Sequence, residues 1–180
     1  RSAAARGEPR RAGRDHSGGQ PGPVAHGEAG LRRQVELIAA IAGCPVVTTS
    51  RAIIDALRHL GIVKVALATP YLDHVNEAER DFFHGHGLEV TSLVGLGLSG
   101  AAIREVPPRD IMALARAADT PDSEAVFLSC TDLRALEVLD ALERELGKPV
   151  LSSNQVTLWA ILRALGEPTG YPGFGRMLAQ

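Results

Sequence analysis

Large aliphatic residues begin abruptly at Leu31; before it, the stretch RSAAARGEPRRAGRDHSGGQPGPVAHGEAG holds only Val24. From there Leu31, Val35, Leu37, Ile38 and Ile41 recur at helical spacing, and Gly43 stops the predicted helix. PVVTT at 45–49 reads as a short β-branched strand. Ser50 then caps a helix with apolar positions Ile53, Ile54, Leu57 and Leu60, closed by Gly61. A βα unit follows and repeats. VKVALA at 63–68 is a predicted strand, TPY its exit, and 73–86 its helix, ended by Gly87. LEVTSLV at 88–94 is followed by the loop GLGLSG and, after Pro107 and Pro108, by a helix over 109–118. AVFLS at 125–129 runs with Cys130 at the corner into a helix over 133–146, and PVL at 149–151 into one over 155–165.

Strands alternating with helices of this length predict an α/β fold, a doubly wound parallel sheet with helices on both faces and right-handed crossovers. Residues 1–30 do not share the pattern. Gly, Pro and Arg dominate there, little apolar surface is available to offset ordering entropy, and the segment reads as disordered or degraded. The length of 180 residues fits one domain, or one domain and part of another. A formal net charge of -2 leaves no basic footprint, and 4% aromatic residues leave few stacking platforms, which argues against nucleic acid as a partner. No apolar run approaches the ~20 residues that span a bilayer, so no membrane association is expected. The two cysteines, Cys44 and Cys130, are far apart and lack the spacing of a disulfide framework or a zinc site. A cytoplasmic protein is expected, with Cys44 structural.

Chemistry concentrates at the strand exits. They read TTS at 48–50, TPY at 69–71, GLGLSG at 95–100, SCTD at 129–132 and SSN at 152–154. In a parallel sheet, ligands bind outside the carboxyl ends of the strands, so hydroxyls, a thiol and an amide converging there suit a small carboxylate. Each of these residues taken singly is also a common helix cap. Cys130 is the candidate for chemistry: it is expected partly exposed, with the N-terminus of the following helix favouring its reactive thiolate. Gly95, Gly97 and Gly100 match a dinucleotide fingerprint, but no helix opens directly at the loop and the next strand ends in Ser129-Cys130 rather than an acid. The loop reads instead as a flexible flap over the strand ends, and no cofactor is expected.

The ordered series PVVTTS, ALRHLG, VALATPY, GLGLSG, VFLSCTD, GKPVLSSNQ and GFGRML resembles the maleate isomerase and arylmalonate decarboxylase group of the aspartate/glutamate racemase superfamily, over 31–180. Ectoine-utilisation protein A is similar too. The resemblance implies a cofactor-independent enzyme of two flavodoxin-like halves with the site between them, and a small carboxylate as substrate. Cys130 matches the second-half catalytic cysteine, Tyr71 the substrate-contacting tyrosine, and Thr131 the backbone N–H contributor after the cysteine. Ser153 and Asn154 fit a segment regarded as architectural, and Thr48 and Thr49 carry no assigned role.

The first-half motif of the group, a CTS-like or GTS-like triplet after a strand, would fall within Arg14 to Gly22, where RDHSGGQPG stands. Ser99-Gly100-Ala101 replaces a family asparagine. The expected division is therefore 1–30 as the degraded segment and 31–61 as the remnant of a first half. Residues 62–180 form a second half carrying Cys130, its last helix free to pack back on the first. Expected functions are an isomerase, racemase or decarboxylase of small dicarboxylic acids, an inactive family member or small-acid binding protein, or a nucleotide-binding flavodoxin-like module. A homo-oligomer is compatible with each.

Overall fold

β1 (Lys64–Thr69), β2 (Glu89–Gly95), β3 (Ala125–Leu128) and β4 (Val150–Ser152) form one parallel sheet in the order β2-β1-β3-β4. The computed structural model of the chain describes residues 27–168 and 170–179. β1 and β3 are the inner strands, and their near-continuous apolar runs are what burial on both faces requires. On one face Val65, Leu67, Phe127 and Leu151 pack under α2 (Thr49–His59), α3 (Asp73–Gly85) and α6 (Ser153–Leu165). On the other, Ala66, Ala68, Val126, Leu128 and Val150 meet α4 (Pro108–Ala118) and α5 (Leu139–Leu146). The alternation follows from the two-residue repeat of a strand. α2 and α6 share the first of these cores, through Ala52, Ile53, Leu57, Val156 and Trp159.

The tail after α6 returns to this framework. Met177 and Leu178 are fully buried. Asp140 Oδ1 accepts from Gly175 N–H at 2.8 Å, Glu143 Oε2 from Arg176 N–H at 2.8 Å, and Gln155 Nε2 donates to the Phe174 carbonyl at 2.5 Å. Gly175 has φ +80°, and a Cβ there would stand 2.5 Å from Gln155 Nε2, so only glycine fits this clamp.

The structure corrects several expectations. PVVTT forms no strand: 45–48 belongs to no helix or strand and leads into α2 without sheet partners. β-Branched residues favour extension, but a strand exists only where a neighbour pairs with it. Thr48, not Ser50, caps α2; its side chain accepts from Arg51 N–H at 3.3 Å, and Ser50 is buried in the first turn. The first helix, α1, spans Gly27–Ala42 and so begins within the segment expected to be disordered; residues 1–26 lie outside the described ones. Three of its expected core positions face outward, Leu37 at 62%, Ile38 at 40% and Ile41 at 79% exposure. Cys44, just beyond it, is exposed rather than packed. The helix expected over 133–146 is in two parts, a 3₁₀ turn at Ala135–Val138 and then α5 from Leu139. Leu133, Leu136, Leu139 and Leu142 recur every three residues, a spacing that the three-residue turn of a 3₁₀ helix aligns.

Candidate active site

The strand order reverses between β1 and β3. The chain leaves β1 through α3 on one face and leaves β3 toward α5 on the other, so the exits of these two adjacent strands open a crevice between them. Tyr71 follows β1 and Cys130 follows β3, which puts one on each side of that switch point.

Cys130 has φ +98°, and among the described residues no other non-glycine residue has a positive φ. An L-residue with a Cβ is strained there, at a cost of about 1–3 kcal/mol, and persists only where its surroundings hold it. Those surroundings come from the first turn of α6. The Cys130 N–H donates to Ser153 Oγ at 3.1 Å, and Asn154 Nδ2 donates to the Thr131 carbonyl at 3.0 Å. The Cys130 carbonyl accepts from Leu133 N–H at 3.3 Å, closing the turn. The helix N-terminus at this turn is therefore that of α6, not of the helix following Cys130, because the tight turn at 131–134 intervenes. Cys130 is 9% exposed, less than expected, because Tyr71 and Leu133 pack in the same cluster.

The Tyr71 hydroxyl lies beside the Cys130 thiol and the Ser129 hydroxyl. Burial, then the hydrogen bond to Cys130 and the negative charges that Cys130 and Glu79 can carry, push its titration far above the ordinary tyrosine value; the Ser129 hydroxyl opposes the rise. Tyr71 therefore stays a hydrogen-bond donor at any physiological pH. Its backbone is fixed as well: Tyr71 N–H donates to Thr69 Oγ1 at 3.3 Å, Thr69 Oγ1–H to Asn76 Oδ1 at 2.5 Å, and Asn76 Nδ2 to the Tyr71 carbonyl at 3.2 Å. A Cβ at Gly95 would stand 2.4 Å from Asn76 Nδ2 and 2.9 Å from the Tyr71 carbonyl, so β2 closes on this bracket only through glycine.

Thr131 is exposed in the turn after Cys130, and among the described residues no protein acceptor takes its N–H. GLGLSG does not hang free. Leu96, Gly97 and Leu98 N–H groups donate to the carbonyls of Thr69, Tyr71 and Pro70, which fastens the loop to the β1 exit. Only a 3₁₀ turn, Gly100–Ile103, follows it, so no α-helix N-terminus faces a pyrophosphate. Among the described residues, no group of three His, Cys, Asp or Glu side chains is placed to hold a metal ion.

A sequence model of arylmalonate decarboxylase matches residues 26–178. The chain belongs to the arylmalonate decarboxylase family. It is 39% identical to the arylmalonate decarboxylase of Bordetella bronchiseptica over 139 residues, which cover 75% of this chain and 58% of that protein. With the maleate isomerase of Nocardia farcinica it shares 31% identity over 135 residues, 74% of this chain and 54% of the relative. The chain thus spans little more than half the length of these relatives. Among solved structures, the maleate isomerase Iso from Pseudomonas putida S16 superposes with a TM-score of 0.83 at 29% identity, covering 87% of this chain and 66% of that one. The Nocardia farcinica maleate cis-trans isomerase, solved as a cysteine-to-serine mutant with a covalently bound succinylcysteine intermediate, superposes at 0.81 with 27% identity, covering 88% and 67%.

The arylmalonate decarboxylase match takes in Tyr71, Cys130 and Thr131; the segment where a first-half motif was expected, Arg14 to Gly22, precedes it and lies outside the described residues. Ser129 stands in the strand exit SCTD but has no role of its own there; Glu79 escapes a reading of strand exits, because it looks like one of several acids on a solvated helix. A signal for Glu79 was nonetheless present. Asn76, Glu79 and Phe83 lie three and four residues apart, so they share one face of α3, and Phe83 marks that face as buried.

Proposed function

We propose that this chain carries the cysteine half of a cofactor-independent site acting on a small carboxylic or dicarboxylic acid, as an isomerase, racemase or decarboxylase. The observation that carries the reading is Cys130 held at a strained φ at the switch point, with the Tyr71 hydroxyl beside it. In this reading Cys130 delivers or removes the proton on the carbon next to a carboxylate. The Tyr71 O–H and the Thr131 N–H donate to the carboxylate oxygens as enediolate charge develops on them. One thiol in the cluster favours protonation of a carbanion over addition to an alkene followed by bond rotation. The same thiol, as nucleophile, would form a C–S bond to an alkene carbon and release it after rotation. A cytoplasmic setting suits a site that needs its cysteine reduced.

Aryl-malonate decarboxylation and maleate-to-fumarate conversion test it. Cys130→Ala is expected to abolish turnover with the fold intact. Tyr71→Phe is expected to slow it by one lost donor, ~2–4 kcal/mol in the transition state. A chain inert on both substrates that still binds malonate or fumarate is a small-acid binding protein of the same family. Activity that appears only with added NAD overturns both.

A further inference from the structure

Behind Cys130 stands an acid that this chemistry does not use. Glu79, on the inner face of α3, is 6% exposed, and Ser129 is 4% exposed. The Ser129 hydroxyl donates to Glu79 Oε1 at 2.5 Å, while Glu79 Oε2 is buried with no hydrogen-bond partner. No cation faces the carboxyl among the described residues. The titratable group facing it is Tyr71, from the β1 exit, which in turn meets Cys130, from the β3 exit. A helix position that serves only packing would carry an apolar residue, as Phe83 does one turn on. A lone buried carboxylate is unfavourable, and burial accordingly raises Glu79 to about 7 against the pull of the Ser129 hydrogen bond.

We propose that Glu79, acting through Ser129, is a positioning residue for Cys130. Protonated, it holds the Ser129 hydroxyl behind Tyr71 and Cys130 without adding a charge there. Ionised, it sets a negative charge against the formation of a thiolate at Cys130. The inference rests on reading Cys130 as the reactive group, but its test follows thiol chemistry rather than turnover, so the two can fail separately.

In the full chain carrying Cys44→Ser, Cys130 is the sole cysteine. Iodoacetamide alkylation of that protein is followed by mass spectrometry from about pH 5.5 to about pH 9. Its rate is expected to rise with pH and then break to a shallower slope at about 7, as Glu79 ionises. Glu79→Gln is expected to lack the break and to react roughly three- to ten-fold faster at about pH 8, and Glu79→Asp to restore the break. A purely structural Glu79 would change the melting temperature without moving the profile, so superimposable profiles for the parent and Glu79→Gln overturn the proposal. Should Glu79→Gln fail to fold, Ser129→Ala serves in its place. Removing the hydroxyl through which Glu79 acts is expected to abolish the break, and an unchanged break overturns the proposal. Carbon-13 NMR of glutamate-labelled protein reads the acid directly, whatever the access to the thiol. A Glu79 carboxyl that titrates in the ordinary carboxylate range also overturns it.

Discussion

At Cys130 reactivity and backbone comfort are opposed. The positive φ is tolerable for glycine and strained for cysteine or alanine, so Cys130→Gly is expected to be more stable than Cys130→Ala by about 1 kcal/mol, although both lack the thiol. Urea unfolding of the two variants checks this; equal midpoints would mean that the turn bears no strain. Glu79 gives the second residue-scale prediction. Its acid is raised in the fold from the ordinary 4.5 to about 7 by burial. Below the lower value both folded and unfolded chains hold the proton. As pH rises through that window, the unfolded chain releases it first, and the fold loses up to about 3 kcal/mol, with no further loss above it. Glu79→Gln removes this slope, so its stability relative to the parent should grow between about pH 4.5 and pH 8. A difference in urea midpoint that is constant with pH contradicts it. The placement of Cys130 and Tyr71 after β3 and β1 was legible from the alternation of strands and helices, whereas Tyr71 was singled out only through the family resemblance. Glu79 was not singled out, because one polar residue in DHVNEAERDFF resembles its solvated neighbours until the buried side of the helix is known.

Among the elements, legibility followed pairing. The four strands and the helices between them were readable because each carries its own apolar repeat and its own stop, such as Gly87 or Gly147. The segment 45–49 has the composition of a strand but no partner, and a partner is not a local property. The break after Cys130 was hidden for a related reason. Its cause is the conformation of one residue, held by Ser153 and Asn154 from α6, which are distant in sequence. β2 supplies the element-scale prediction. Gly95→Ala would drive a methyl group into Asn76 and the Tyr71 carbonyl. Because that bracket is hydrogen-bonded on all sides, a loss of roughly 1–3 kcal/mol is expected, with turnover falling as Tyr71 shifts. A melting temperature unchanged from the parent would show that the bracket yields freely.

For the whole molecule, the site exists only when β1 and β3 lie side by side. The start of that pairing is marked by Glu124 Oε2, which accepts from Lys64 N–H at 2.9 Å, 60 residues away in sequence. Thiol labelling of Cys130 in urea should therefore follow the loss of far-UV circular dichroism, with coincident midpoints; earlier labelling would mean that the β3 exit opens by itself. The same pairing has a consequence on the ribosome. When β1 and β2 have emerged and joined, the inner edge of KVALAT has no neighbour until AVFL follows, and for that interval it offers bare N–H and C=O groups to any nascent chain nearby. Synthesis that pauses between these two strands should thus yield aggregates, whereas a pause after β4, when AVFL too has its neighbour, should not.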